Sequence, residues 1–124
     1  MKKMKKLKKL LLIIALPLLL AACGKPYGQN IEIKNIKTKE TVILNKKSSK
    51  GNIYGIRIKI SGQIEGESKI SLIQNNKEYK TNKLKDNFSF IWNCDWYSDS
   101  AKIIYEPVNA KNGKVFIEYK FKDM

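Results

Sequence analysis

Hydrophobic and polar residues alternate along much of the chain with a period of two, which is typical of half-buried β-strands. The clearest run places four apolar or aromatic side chains on one face: Tyr54, Ile56, Ile58 and Ile60. The opposite face carries the residues between them: Gly55, Arg57 and Lys59. Similar runs follow at four places farther along the chain: 70–72, 79–84, 88–96 and 115–121. The run at 79–84 is the weakest and predicts an edge strand.

Clusters of Gly, Asn and Asp separate these runs and predict turns. There are five such clusters: Gly51-Asn52, Gly62 to Gly66, Asn75-Asn76, Asp86-Asn87 and Asn112-Gly113. Before them, two short strands fit the pattern loosely at 31–36 and 42–44. Short strands without a helical period predict an all-β fold, a single antiparallel β-sandwich or small barrel of about seven to eight strands. We expect this domain to cover residues 31–124.

Residues 1–22 follow a different pattern, six lysines and then an apolar stretch, which is typical of a signal peptide. The uncharged stretch from Leu10 to Cys23 has only 14 residues and contains Pro17. A membrane-spanning helix needs about 20 residues, so an uncleaved anchor is disfavoured. The small residues before Cys23 predict cleavage between Ala22 and Cys23. A plain secretory signal cleaved after Ala22 is the alternative, and the cysteine at the next position favours a lipoprotein signal.

The sequence from Leu20 to Gly24, Leu-Ala-Ala-Cys-Gly, resembles the lipobox of bacterial lipoproteins. This resemblance implies a diacylglyceryl group on the Cys23 sulfur, and two or three acyl chains make a durable membrane anchor. Gly24 in place of Asp implies the outer membrane in a cell with two membranes. In a cell with one membrane, the protein would lie on the outer face of the plasma membrane. Residues 23–30 are then the lipidated cysteine and a short polar tether.

The charge of the exported part indicates which partners it would contact. The chain has 25 Lys and Arg against 11 Asp and Glu, and six of the basic residues lie in the signal peptide, so residues 23–124 keep 19 against 11, a net charge of +8. Outside the cytoplasm this charge favours anionic envelope polymers, such as lipid headgroups, lipopolysaccharide phosphates or teichoic acids, over nucleic acid. A structural explanation is also open, because outward lysines keep sheet edges from pairing between molecules.

The absence of histidine and the two cysteines restrict the possible chemistry. Without histidine there is no His-assisted Ser or Cys nucleophile and no imidazole metal ligand. If Cys23 carries lipid, Cys94 has no disulfide partner in the chain. Cys94 falls on the apolar face of the run 88–96, so we expect it to be buried and unreactive. We expect no enzymatic activity and no cofactor.

The segment from Phe88 to Asp99 holds most of the candidate chemistry. In a regular strand, five side chains share its apolar face: Phe88, Phe90, Trp92, Cys94 and Trp96. Trp96 is therefore predicted to be a core anchor and not an exposed surface for stacking on sugars. The candidate ligand-binding residues lie on the polar face and in the following loop: Asn93, Asp95, Tyr97 and Asp99. Glu106 is a further candidate.

Three interpretations of these polar residues are open. Their oxygens are hard ligands, but the spacing lacks the dense acids and the glycine of a calcium loop, so no metal site is predicted. Paired carboxylates could act on a glycoside, which needs a cleft that a domain of this size rarely forms. The third interpretation is turn chemistry, in which Asp95, Ser98, Asp99 and Ser100 cap the backbone.

Four segments of the domain also resemble a known group: Gly-Ile-Arg-Ile-Lys-Ile-Ser-Gly (55–62), Asp-Trp-Tyr-Ser-Asp (95–99), Tyr-Glu-Pro (105–107) and Ile-Glu-Tyr-Lys-Phe (117–121). The group is that of small, uncharacterised bacterial lipoproteins, and the resemblance implies a β-sandwich behind a lipobox with no catalytic residues. The leading hypothesis is a membrane-anchored, non-catalytic binding module for an anionic envelope component or polysaccharide. The alternative is a protein-binding inhibitor or immunity lipoprotein that uses an exposed edge strand or the loop around Asp99.

Overall fold

The computed structural model describes residues 29–46 and 51–124. The predicted signal peptide, its cleavage site, Cys23 and most of the predicted tether lie outside these residues. The first strand begins at Gln29, so the last two residues of the predicted tether belong to the folded domain. In the described part of the chain, no helix has the length and apolar character needed to cross a membrane.

The described residues form an all-β fold with six strands, all of them in antiparallel pairs. The strands are β1 (Gln29–Glu32), β2 (Glu40–Asn45), β3 (Ile53–Gln74), β4 (Lys77–Asp95), β5 (Ser100–Pro107) and β6 (Asn112–Asp123). The predicted strand at 42–44 lies within β2. The predicted strand at 31–36 overlaps β1 only at residues 31–32, and Ile33 and Ile36 lie after that strand ends. The predicted edge strand at 79–84 is confirmed as part of β4, which pairs with β3 alone among the described strands.

Two of the predicted turns are wrong, because β3 and β4 run through them. Gly62 to Gly66 lies inside the 22-residue strand β3, and Asp86-Asn87 lies inside the 19-residue strand β4. Between the pairs Ile64–Asp86 and Glu67–Lys85, β3 has two additional residues. Such a bulge bends a hairpin and leaves its strands continuous. The predicted all-β fold is confirmed, but a sandwich of seven to eight strands is not.

The bend divides the long β3–β4 hairpin into two halves with different neighbours. Residues 53–65 of β3 pair with β6, which in turn pairs with β1. Residues 68–73 of β3 pair with β5, which in turn pairs with β2. The result is one curled antiparallel sheet. From Ile56 onward, even-numbered residues of β3 point to the core both before and after the bend.

One hydrophobic core connects the two halves of the curled sheet. Its fully buried side chains include Ile58 and Ile60 before the bend and Ile70 and Leu72 after it. Among the described residues, the buried core residues lie between Ile33 and Phe121. Because this core joins both halves of the sheet, we expect residues 29–124 to fold as one unit.

Near the ends of the strands, some sequence predictions are confirmed and others are wrong. Asn75 and Asn76 form the tight turn between β3 and β4, with φ values of 54° and 63°, as predicted. Asn112-Gly113 instead begins β6, and the connection from β5 runs through residues 108–111. Tyr54 was predicted on the inward face and is 47% exposed, because a register shift between Ile53 and Gly55 reverses the alternation there.

Candidate functional site

The structure places the predicted site residues in three different locations. Asn93 and Asp95 lie exposed on the outer face of β4, while Tyr97 and Asp99 lie in the loop between β4 and β5. Glu106 lies on β5, where it faces Lys69 with 3.8 Å between its carboxylate and the Lys69 Nζ. The predicted set therefore does not form one site: Asn93 and Asp95 share the outer face of β4, Tyr97 and Asp99 share the loop, and Glu106 lies apart from both pairs.

Trp96 and Cys94 are buried, which confirms their predicted place in the core. Trp96 is 6% exposed, and its Nε1 donates to the Ser100 carbonyl oxygen at 2.9 Å. Burial raises the pKa of the Cys94 thiol, and the neighbouring charges of Lys80 and Lys122 act in the opposite direction. The tryptophan closest to the candidate residues is thus unavailable for stacking on a ligand.

The loop that follows Trp96 exposes Tyr97 between two shallow clefts. Tyr97 is 77% exposed and lines a cleft of about 460 Å³ together with Ile43, Ile73 and Lys102. It also lines a second cleft of about 430 Å³, next to Asp99. The loop is held by backbone interactions, because the Asp99 carbonyl oxygen accepts from the Lys46 N–H at 2.9 Å.

Turn chemistry accounts for part of this loop. The Ser100 N–H donates to the Ser98 Oγ at 3.3 Å, which is the short-range pattern of a serine in a turn. The Asp99 contact uses its main-chain oxygen and not its carboxylate. The interpretation of Ser98 as a backbone cap is supported by this contact.

A cluster of three cations lies beside Asn93 on the outer face of the sheet. Arg57 of β3 is directly opposite Asn93 of β4 on one side and Lys120 of β6 on the other. Lys122, two residues along β6, donates a hydrogen bond from its Nζ to the Asn93 Oδ1. We call Arg57, Lys120 and Lys122 the basic cluster.

Gly55 provides the space that brings Lys122 and Asn93 together. It pairs with Asp95 on one side and with Lys122 on the other. A Cβ at this position would lie 3.3 Å from the Lys122 Cδ. The Lys122 side chain can therefore cross β3 over the glycine and reach β4.

The basic cluster is not neutralised by ion pairs in the described part of the chain. The ion pairs found there involve other lysines: Lys46, Lys69 and Lys83. The acids closest in register are Asp95, beside Gly55, and Glu118, which faces Lys59. The charge of Lys120 also helps to lower the pKa of Asp123, after the larger effect of Lys46. Like charges directly opposite each other in a sheet are destabilising. By this rule, we expect the opposition of Arg57 and Lys120 to be an electrostatic cost to the fold.

Protection of sheet edges explains some lysines and does not explain Arg57. The first half of β4 is an edge that carries four lysines: Lys77, Lys80, Lys83 and Lys85. Arg57, in contrast, lies on β3 where that strand is paired on both sides. A cation on an inner strand cannot prevent a sheet edge from pairing with another chain.

Sequence reasoning did not identify the basic cluster. The alternation places Arg57 and Lys120 on outward faces, but the two residues are 63 positions apart in sequence. Only the pairing register of β3 and β6 brings them opposite each other. No group of three or more metal-ligating side chains is found among residues 29–46 and 51–124.

Comparison with known proteins gives a likeness in fold. No protein family matches the chain, and no curated protein matches it in sequence. A crystal structure of PirA superimposes with a TM-score of 0.50 and 14% identity over 79% of this chain and 97% of PirA. A CBM4 structure has a TM-score of 0.42, 12% identity and coverage of 75% and 70%, respectively. The coat protein of Tobacco streak virus has a TM-score of 0.39, 14% identity and coverage of 82% and 92%. The likeness to PirA shows that the chain has a known type of all-β fold.

Proposed function

We propose that this protein is a membrane-anchored envelope lipoprotein, held by lipid on Cys23, whose β domain binds an anionic envelope component through the basic cluster. The domain acts as a binding module and not as an enzyme. Its location is the outer membrane of a two-membrane cell or the outer face of the plasma membrane of a one-membrane cell. The ligand chemistry is a phosphate or carboxylate group carried by a lipid headgroup or by a polymer.

The residues around the basic cluster suit such a ligand. The Arg57 guanidinium can bind two oxygens of a phosphate or carboxylate at once. Lys120 lies directly opposite Arg57 in the sheet, and Lys122 lies two residues farther along β6. The Asn93 Oδ1 is occupied by Lys122, so the Asn93 amide nitrogen is left to donate. Asp95, at the rim, offers an acceptor for a ligand hydroxyl group.

The opposition of Arg57 and Lys120 is the observation on which this proposal rests. An anion bound between them would relieve their repulsion, so the ligand and the fold stabilise each other. The net charge of +8 on residues 23–124 adds a long-range attraction to anionic surfaces. The membrane anchor would keep the domain close to such surfaces.

The test compares two triple variants with the same change in net charge, made in residues 29–124. In one, the cluster is neutralised by Arg57→Gln, Lys120→Gln and Lys122→Gln. In the control, three exposed lysines of the β1–β2 loop are changed: Lys34→Gln, Lys37→Gln and Lys39→Gln. Binding is measured by cosedimentation with phosphatidylglycerol vesicles and, in a second arm, by calorimetry with soluble poly(glycerol phosphate).

Each cation at an anionic surface contributes about 1 kcal/mol, so the cluster variant should bind about 100-fold more weakly. The control should lose clearly less, and wild-type binding should weaken as salt is raised. Equal losses in both variants, or binding that ignores salt, would contradict the proposal. The two arms distinguish a lipid phosphate from a polymer phosphate.

A further inference from the structure

The edge strand β4 has two halves of opposite character. From Lys77 to Lys85 it carries four lysines, whereas from Asp86 to Asp95 it carries no Lys or Arg. Natural proteins place lysines on edge strands because a cation there opposes pairing with another chain. In the second half of β4 this protection is absent. In the described part of the chain, β4 pairs with β3 alone, so its other edge is open.

The register shows which backbone groups reach the open edge. The Trp96 N–H donates to the Tyr54 carbonyl oxygen at 3.3 Å, next to the pair Gly55–Asp95. Hydrogen-bonded pairs alternate along antiparallel strands, so even-numbered residues of this half direct their backbone groups to β3. The odd-numbered residues direct theirs to the open edge: Asn87, Ser89, Ile91, Asn93 and Asp95.

The side chains of this half also suit contact with another strand. Ile91 is 53% exposed in the middle of the outer face, although its neighbours there are polar. On the inner face, Phe88 and Phe90 are only partly buried against the core. The half-strand thus offers unpaired backbone groups together with incompletely covered apolar side chains.

We propose that two copies of this chain pair antiparallel along residues 87–95, about a two-fold axis at Ile91, to form one continuous sheet. In this register Ile91 lies opposite Ile91 of the second copy, Ser89 opposite Asn93, and Asn87 opposite Asp95. On the inner face, Phe90 lies opposite Trp92, a favourable cross-strand aromatic pair. The arrangement is self-complementary, as a two-fold interface must be.

The positions of the charged residues explain why the second half of β4 would pair with another copy and the first half would not. The register at Ile91 places no two like charges opposite each other. The equivalent pairing centred on Thr81 would place Lys77 of one copy opposite Lys85 of the other, which is unfavourable. The sequence of β4 therefore both permits the dimer and restricts it to one half of the strand.

The dimer has a consequence for the outer surface, although it does not depend on the proposed function. A two-fold axis between antiparallel strands is perpendicular to the sheet, so the outer faces of both copies point to the same side. Each basic cluster lies one or two strands from the axis, since β3 and β6 follow β4 in the sheet. The pair of copies would display two clusters on one surface.

The test measures the oligomeric state of residues 29–124 by analytical ultracentrifugation over a concentration series. The wild type should sediment as a dimer that dissociates on dilution. Ile91→Lys places two like charges at the axis and should raise the dissociation constant about tenfold or more. Ile43→Lys is the matched control, because Ile43 is 48% exposed on β2, a different edge strand, and should leave the dimer intact.

Cysteine crosslinking tests the register directly. Ile91→Cys should form an intermolecular disulfide under mild oxidation, because residues at a hydrogen-bonded pair have Cα atoms about 5.5 Å apart. Lys59→Cys, one strand farther from the axis, should not. A wild type that is monomeric at every concentration would overturn the proposal. So would a dimer that Ile43→Lys dissociates and Ile91→Lys does not, or a disulfide at residue 59 and none at 91.

Discussion

At the scale of single residues, Tyr105 shows how one buried hydroxyl group connects three parts of the fold. Its side chain is fully buried, and its hydroxyl donates to the Ile36 carbonyl oxygen at 2.6 Å. Because that proton is used, the Ser68 hydroxyl must donate to the Tyr105 oxygen, 2.7 Å away. The β1–β2 loop is thereby attached to β5 and to β3.

Tyr105→Phe should lower the free energy of unfolding by about 1–3 kcal/mol, because it leaves two buried polar groups without partners. Tyr79→Phe is the control, since Tyr79 is exposed on the edge strand and should change little. Urea unfolding of residues 29–124 measures both. Equal unfolding midpoints for the two variants would show that the hydroxyl group does not connect the loop to the sheet.

Ionisation of Tyr105 should also make the stability of the wild type fall at high pH. Burial raises the pKa of Tyr105, with the Ser68 hydrogen bond acting in the opposite direction. The unfolded chain therefore loses the tyrosine proton first, and stability falls as pH rises above the ordinary tyrosine pKa of about 10. Tyr105→Phe should show a shallower fall over the same range.

Single-residue patterns predicted which side chains face outward, and could not predict which of them meet. The alternation of odd and even positions correctly placed Asn93 and Asp95 on the polar face of β4 and Trp96 in the core. The contact of Asn93 with Lys122 depends on a register across three strands, which no local pattern contains. For this reason the sequence grouped Asn93 with Tyr97 and Asp99, its neighbours in the chain, and not with Arg57.

At the scale of strands, the sequence analysis correctly placed irregular backbone near residues 62–66 and 86. It predicted tight turns there, whereas the structure has a bulge. Gly62, Gly66 and Asp86 all have positive φ values, of 145°, 97° and 55°. A tight turn and a bulge both need such residues, so composition alone does not distinguish them. The structure uses Asn75-Asn76 as a turn and the other sites as a bend, which gives two long strands in place of four short ones.

Gly62→Ala should destabilise β3 immediately before the bend. Gly62 has a φ of 145°, and an added Cβ would lie 2.0 Å from the Lys114 carbonyl oxygen. The unfavourable backbone conformation alone costs about 1–3 kcal/mol, and the contact adds to it. Thermal unfolding of the purified variant measures the change.

Gly55→Ala is the matched control for this prediction. Gly55 lies in the same strand without a positive φ, and its added Cβ would be 3.2 Å from the Cys94 carbonyl oxygen. A shift of a few tenths of an ångström accommodates that contact, so the loss of stability should be smaller. If Gly55→Ala were the more damaging change, the stability of β3 would not depend on the backbone conformation of Gly62.

At the scale of the whole molecule, the fold carries an excess of positive charge that it does not neutralise internally. Residues 23–124 have a net charge of +8, and the described ion pairs leave out Arg57 and Lys120, which oppose each other across two strands. Self-repulsion of this kind favours the unfolded chain, in which the charges are farther apart. Neutralising the basic cluster should therefore weaken binding of the anion and raise the stability of the fold.

Salt should raise the melting temperature of the wild type, because screening weakens the repulsion within the cluster. Between about 10 and 150 mM salt the screening length falls from about 30 Å to about 8 Å. The cluster variant, with Arg57, Lys120 and Lys122 changed to Gln, should melt at a higher temperature in low salt and gain less from added salt. The control variant, with Lys34, Lys37 and Lys39 changed, loses the same net charge from an exposed loop and should keep most of the salt response. Identical salt dependence in the two variants would mean that the total charge matters and the opposition of Arg57 and Lys120 does not.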